Sequence, residues 1–309
     1  MPNGSELTSL FARILSAPSP FYRKRLAAAG LDDARNGNLS ALPRLSLSRR
    51  EELLRDQLEH LPHGTRRFAD AAPPVRAGLT GSGEELVVLT WSAADLGRER
   101  RAGARLMTHL GVHPGMAVAN TLRGALVTPG ALLLGDVIEE IGALDVPLGA
   151  VENDAAVRQA WELVDRVEPA VLVVDPSTAQ RLFDGAPRAA RPWWQGIIWL
   201  HAGQGVDPRS AVPEAAGFTG WQRTWLAVPE ATSFVAYSCV AGRLHVDDEV
   251  IAEVVDEAGA LVAVGSAGML ALTPLGVDTP VLRYASGLCV SAPATPCACG
   301  SAGGGIELR

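Results

Sequence analysis

A chain of 309 residues, 48% hydrophobic and 20% charged with a net charge of −7, can bury one large core or two to three smaller ones. Its longest apolar runs, such as 131–134 and 170–174, are too short to span a bilayer, and no basic-then-apolar leader opens the chain, so a cytoplasmic protein with no membrane partner is expected. The acidic balance also argues against nucleic acid as a partner, because phosphate binding needs a clustered basic field.

In chain order, residues 5–70 read as mainly helical, with apolar positions three and four apart and prolines at 18, 20, 43 and 62 as punctuation. Thr80-Gly81-Ser82-Gly83 is a turn before a strand at 86–91. Helices at 93–110, 129–141 and 155–167 then alternate with strands at 116–121, 144–148 and 170–174. Arg98, Arg100, Arg101 and Arg105 fall on the first of these helices and read as a solvated face. Further strands are expected at 196–200 and 222–226. Strands alternating with helices of this length imply a parallel sheet in an α/β domain.

After about residue 235 the pattern becomes β-rich. Segments 250–255 and 260–264 read as a hairpin around Glu257-Ala258-Gly259, followed by strands at 269–273 and 281–284. The expected organisation is a helical region at 1–70, an α/β core at 71–235 and a β-rich subdomain at 236–309.

Several short segments keep a shared order over roughly 20–300. They are Phe21-Tyr22-Arg23, Leu42-Pro43, Ser48-Arg49-Arg50-Glu51-Glu52-Leu53 and Gly111-Val112-His113-Pro114-Gly115. Glu168-Pro169-Ala170-Val171-Leu172 with Pro176-Ser177, Gly242-Arg243-Leu244-His245-Val246 and Pro280-Val281-Leu282-Arg283-Tyr284 complete the set. This order resembles the phenylacetate–CoA ligase branch of the adenylate-forming enzymes. The resemblance implies the large N-terminal domain of such an enzyme: layered α/β sheets plus a small β-rich, zinc-bearing subdomain. It also implies that the small C-terminal domain with its catalytic lysine is missing.

Enzymes of this kind hold ATP in a Ser-, Thr- and Gly-rich loop that ends in lysine. The corresponding stretch here is Gly78-Leu79-Thr80-Gly81-Ser82-Gly83-Glu84-Glu85, with two carboxylates where a cation is needed. The chain has a single lysine, Lys24, and arginine differs from lysine in packing around phosphate and does not deprotonate. The family's ribose-binding aspartate corresponds to Leu288, and its adenine-contacting segment is shifted to Ala202-Gly203-Gln204. Its metal-binding glutamate survives as Glu230 in Trp225-Leu226-Ala227-Val228-Pro229-Glu230. ATP is therefore not expected as a cofactor.

Cys239 and His245, with Cys297-Ala298-Cys299-Gly300, match the metal-site pattern of the same branch. Three thiolates and an imidazole make a closed tetrahedral structural zinc site. The alternative is a set of reduced cysteines of which some are core residues. A Cys297–Cys299 disulfide would be strained, and Cys289 is expected to be a buried thiol.

The resemblance places an acyl pocket near the Glu230 segment. The candidate catalytic residues are His201, at the carboxyl end of a strand where open α/β folds bind ligands, and Glu230. Trp199, Gln204, Trp221, Trp225 and Tyr237 are the candidate substrate-binding residues. Each has a bland alternative: a hydrogen-bonded strand-end histidine, an inherited glutamate, or tryptophans packed in the core.

Three functions stay open. One is a ligase-derived enzyme acting on a small aryl or acyl substrate without ATP, by cyclisation, elimination or acyl rearrangement, with the substrate free or bound to CoA or a carrier protein. Another is a non-catalytic partner within a biosynthetic complex. The third is a CoA ligase completed by another polypeptide. A homodimer is compatible with each.

Overall fold

The structure, a computed structural model, describes residues 4–17, 19–31, 33, 39–81, 83–122, 129–149, 151–187, 191–201, 218–301 and 305–309. The chain forms two compact units, one of residues 1–98, 228–232 and 245–309, the other of residues 99–227 and 233–244. Among the described residues no helix is long and apolar enough to cross a membrane.

The second unit is built on strands β3 (Ala117–Asn120), β4 (Leu144–Pro147), β5 (Val171–Val174), β6 (Gly196–His201), β7 (Trp221–Val228) and β8 (Thr232–Ser238), with the short β9 (Leu244–Val246) at the edge of the same sheet. Their spatial order is β4-β3-β5-β6-β7-β8-β9, and the neighbouring pairs from β4 through β7 are parallel. β5 and β6 are buried at every position, as parallel strands covered on both faces must be. Helix α4 (Ala93–His109) precedes β3, and α5 (Pro129–Ile141), α6 (Asp154–Val167) and α7 (Pro176–Asp184) lie between successive strands from β3 to β6.

α6 illustrates why these residues become helix. Asn153 caps its start by accepting the Ala156 N–H at 3.0 Å, while Val157, Ala160, Trp161 and Val164 fall on one face. That face packs with Leu172, Val174, Phe183, Ile197 and Trp199 in one apolar cluster. The helix stops at Glu168, which takes a left-handed φ of 53° immediately before Pro169. α7 is a helix the sequence pattern did not single out. Asp175 caps it through the Thr178 N–H and hydroxyl, and Pro176 supplies the first turn.

The first unit joins the two ends of the chain. Leu7, Phe11 and Ile14 of α1 (Gly4–Ser16) share a core with Tyr22 and Leu26 of α2 (Pro20–Ala28) and with Leu42, Phe68, Ile251, Leu275 and Leu282. Its antiparallel sheet runs β10 (Val250–Val255), β11 (Ala267–Pro274), β12 (Tyr284–Ser291), β13 (Glu307–Leu308). A separate hairpin pairs β1 (Arg76–Thr80) with β2 (Val87–Trp91), Thr80 facing Val87. The helix α3 (Arg50–Glu59) precedes it.

Two expectations are corrected here. The 260–264 arm of the predicted hairpin is reduced to a single bridge, Val255 to Leu261, and β10 pairs along its length with β11 instead. Residues 281–283 are not strand. Pro280 has no N–H to give a ladder, and Arg283 takes a φ of 49°, so β12 begins at Tyr284. The Arg283 side chain is buried against Glu253 and donates to the Leu45 and Gly259 carbonyls, both at 2.6 Å.

Candidate functional site

Glu230 sits in the turn between β7 and β8, where Ala231 N–H closes back on the Val228 carbonyl at 2.8 Å. Its carboxylate is nearly enclosed and is held by two donors on one oxygen. One is Nη1 of Arg50, at the start of α3; the other is the Thr80 hydroxyl at 3.0 Å. The second arm of the same guanidinium, Nη2, donates to the carbonyls of Thr80 and Glu85, both at 2.7 Å. Arg50 therefore binds the loop after β1 with its hydrogen-bonding face. Gly81, at φ 95°, makes this approach possible, because a Cβ there would collide with Arg50 Nη2.

Two further groups surround this ion pair. Burial pushes the Tyr284 phenol well above its ordinary range and the Glu230 charge adds to this, while Arg50 and Arg66 pull the other way. Tyr284 thus stays a neutral hydroxyl at physiological pH. Arg66 is 2% exposed, and burial lowers its pKa. Sequence reasoning found Glu230 but missed Arg50, Thr80, Arg66 and Tyr284. Arg50 and Tyr284 lay inside quoted motifs, yet nothing in their spacing marks them as partners of a residue 180 positions from Arg50.

The other predicted residues lie along the β6–β8 region. His201 ends β6 beside Leu226 and is 6% exposed. Trp221 faces Gly196 at the opposite end of the same strand pair, five residues and about 16 Å away. It lies under the Arg223 guanidinium, at 4.6 Å. Tyr237 stacks on His109 with ring centroids 4.4 Å apart, and Arg223 donates to the His109 carbonyl. Trp221 and Tyr237 are therefore not at the His201 end of the sheet. Trp199 is fully buried and donates its indole N–H to Gln222 at 2.9 Å. Trp225 is likewise buried, stacked on Phe234 at 5.0 Å. Gln204 lies outside the described residues.

Cys239, His245, Cys297 and Cys299 do come together. One ligand atom from each lies within 4.8 Å of all the others, and Cys299 Sγ is 3.3 Å from His245 Nε2. A tetrahedral zinc with bonds of about 2.3 Å to sulfur would space two thiolates about 3.8 Å apart, so this cluster fits such an ion with small adjustment. The chain turns tightly at both cysteine segments. Gly242 N–H donates to the Cys239 carbonyl and Gly300 N–H to that of Cys297, each glycine with φ 80°. His245 and Cys297 are buried, and Cys239 and Cys299 are partly exposed. Cys289, expected to be buried, is exposed.

No family model matches the chain. It is 29% identical over 295 residues to the phenylacetate-coenzyme A ligase of Thermus thermophilus, an alignment covering 91% of this chain and 63% of that protein. Its structure aligns with that of a 2-hydroxyisobutyryl-CoA ligase in an open conformation with 2-HIB-AMP and CoA. That match has a TM-score of 0.86 at 19% identity and covers 98% of this chain and 72% of the other. The amide bond synthetase McbA from Marinactinospora thermotolerans aligns at a TM-score of 0.54 and 14% identity, over 78% of this chain and 52% of its own. The chain thus has the fold of the N-terminal part of the adenylate-forming CoA ligases, and it is a homologue of a phenylacetate–CoA ligase whose length it spans to 63%.

Proposed function

We propose that this chain acts on a small aryl or acyl biosynthetic substrate without adenylating it, through a cyclisation, elimination or acyl rearrangement. The carrying observation is the Arg50 guanidinium, which engages Glu230 and the carbonyls of Thr80 and Glu85 at once. By resemblance, that loop and that glutamate are the places for nucleotide phosphates and their metal ion. A guanidinium bonded there takes the glutamate oxygen that a metal ion would need, and the Thr80 hydroxyl of the loop is turned onto that same oxygen. Leu288, buried in β12, supports the same conclusion, because an apolar side chain cannot hold ribose hydroxyls.

The substrate class follows the relatives, a phenylacetate-coenzyme A ligase and a 2-hydroxyisobutyryl-CoA ligase. His201 is assigned the acid–base work and Glu230 a fixed negative charge; a CoA- or carrier-bound form of the substrate fits the same reading. The Cys239, His245, Cys297 and Cys299 donors are assigned to a structural zinc, which would pin the two turns together and take no part in the reaction.

Calorimetry with ATP and magnesium should give no binding tighter than millimolar, and pyrophosphate exchange with aryl and acyl acids should stay at background. Micromolar ATP affinity would defeat the proposal and favour a ligase completed by another polypeptide. If ATP is silent and both His201→Ala and Glu230→Gln leave pathway output unchanged while surface substitutions abolish it, the chain is a scaffold.

A further inference from the structure

Arg223, in β7, is a guanidinium held in place without a carboxylate. Its central carbon lies over the Trp221 ring, 4.6 Å from the centroid, and its Nη1 donates to the His109 carbonyl at 3.2 Å. Gly111, at φ 93°, leaves room for it, since a Cβ there would stand 2.8 Å from Nη1. Trp221 in turn lies against Gly196, where a Cβ would collide with the indole. Among the described residues no carboxylate pairs with Arg223. A ring face and one carbonyl fix the group in position but supply no counter-charge.

The counter-charge lies in the adjoining strand. The Thr224 N–H donates to the Ser238 hydroxyl at 2.7 Å, which sets Arg223 beside the end of β8, where Cys239 follows. Tyr237, whose ring stacks on His109, precedes Cys239 by two positions, a spacing that puts both on one side of an extended backbone. Burial lowers the Arg223 pKa, and the charge that opposes this among the described residues is that of a Cys239 thiolate. Arg223, His109, Trp221, Tyr237 and Cys239 all belong to one compact unit.

The chemistry of the cysteine–histidine cluster gives such a cation a use. Thiols give up their protons to bind a divalent ion, so Cys239, Cys297 and Cys299 become thiolates on loading. With a neutral imidazole from His245, three thiolates exceed the ion by one negative charge. Loading therefore turns a neutral set of side chains into an anionic one. A fixed cation nearby stabilises the loaded state by Coulomb attraction and has little to act on while the thiols are protonated.

We propose that Arg223 is the charge partner of the Cys239, His245, Cys297 and Cys299 cluster and strengthens its hold on zinc. The inference rests on the zinc assignment made above and is independent of the chemistry assigned to His201 and Glu230.

The test measures zinc affinity of the full chain by competition with a chromophoric chelator, near neutral pH and at low ionic strength. Arg223→Gln should bind zinc roughly three- to tenfold more weakly than the wild type. Arg223→Lys keeps the charge and should recover most of that loss. Arg158→Gln removes a charge from the exposed face of α6 and should match the wild type within about twofold. Added salt should narrow the gap between Arg223→Gln and the wild type. Equal affinity in Arg223→Gln and the wild type, or an Arg223→Lys variant as weak as Arg223→Gln, would overturn the inference. Wild-type protein that takes up no zinc would overturn the zinc assignment and the inference with it, an outcome distinct from any difference among the variants. Should Arg223→Gln fail to fold, Arg223→Met keeps an apolar stem over Trp221 and must show the same loss. Unchanged affinity in that variant counts against the charge.

Discussion

The cysteine–histidine cluster and the Glu230 turn solve the same problem with different cations. Each gathers electron-rich groups from distant parts of the chain: thiols and an imidazole in one, a carboxylate and two loop carbonyls in the other. At the cluster, Cys239, His245, Cys297 and Cys299 point their donor atoms at one another in a pattern that suits a metal ion. At the turn the chain supplies the positive charge itself, through Arg50. A site that expects its cation from solution stays open to exchange with that ion. A site that carries its own cation does not.

The largest effect should come from the cluster. Purified protein is expected to carry about one zinc per chain by elemental analysis. Cys297→Ser should lower both zinc content and the melting temperature, the latter by about 10 °C or more, because a structural metal contributes folding energy directly. Metal-free, fully reduced protein with an unchanged melting temperature would remove the cluster from the comparison.

A smaller effect is expected at the turn. Arg50→Ala leaves the enclosed Glu230 carboxylate with the Thr80 hydroxyl as its one remaining hydrogen-bond donor among the described residues, at a cost of about 1–3 kcal/mol in chemical denaturation. Glu230→Gln should cost somewhat less, since the neutral amide needs no counter-charge. If the two form one unit, the double variant should lose less than the sum of the singles by about 1 kcal/mol. Strict additivity would mean that Arg50 stabilises the loop through Thr80 and Glu85 alone.

How much of this could be read from the sequence depended on distance along the chain. The alternation from α4 to β7 was legible because each element carries its own local signal, such as the apolar face of α6 or the continuous run of β5. α7 was missed although Asp175-Pro176 is a cap followed by a first-turn proline. β8 was missed because Thr232, Ser233 and Ser238 flank a short apolar stretch, so its sequence has neither alternation nor an unbroken apolar run like that of β5. The long gap between Cys239–His245 and Cys297–Cys299 makes spacing alone a weak signal, and the four metal-ligand candidates were found because they match the metal-site pattern of the branch that the chain resembles. Arg50 was not, because one arginine among 26 has no spacing to distinguish it. Its role is set by folding it against a turn 180 residues away. For Trp199 and Trp225 the sequence leaves substrate contact and core packing both open, and both side chains are fully buried.

The smallest effect concerns a more conventional ion pair and shows what an accessible one contributes. Arg13 Nη2 lies 2.8 Å from Asp278 Oδ1, with the arginine about a third exposed at 32%. Burial by itself would raise the Asp278 carboxyl, but hydrogen bonds from Ser92 and Arg13 and the charges of Arg13 and Arg67 outweigh it, so it falls below the ordinary aspartate value. A depressed carboxylate binds fewer protons in the folded chain than in the unfolded one between the two pKa values. Its contribution is therefore complete above the unfolded value of about 3.9 and is lost as pH falls through the folded value. Glu52 is shifted in the same direction by Arg25 and Arg49, so part of the acid slope should survive removal of Asp278. Glu253, raised by burial, contributes with the opposite sign as pH rises through its folded value. Asp278→Asn should therefore flatten the fall in stability below pH 4 by about 1 kcal/mol or less, given the exposure of Arg13, and leave the value at pH 7 lower by the same amount. Denaturant midpoints measured from pH 3 to 7 decide the point. An acid slope identical to that of the wild type would show that solvent already screens the Arg13–Asp278 pair.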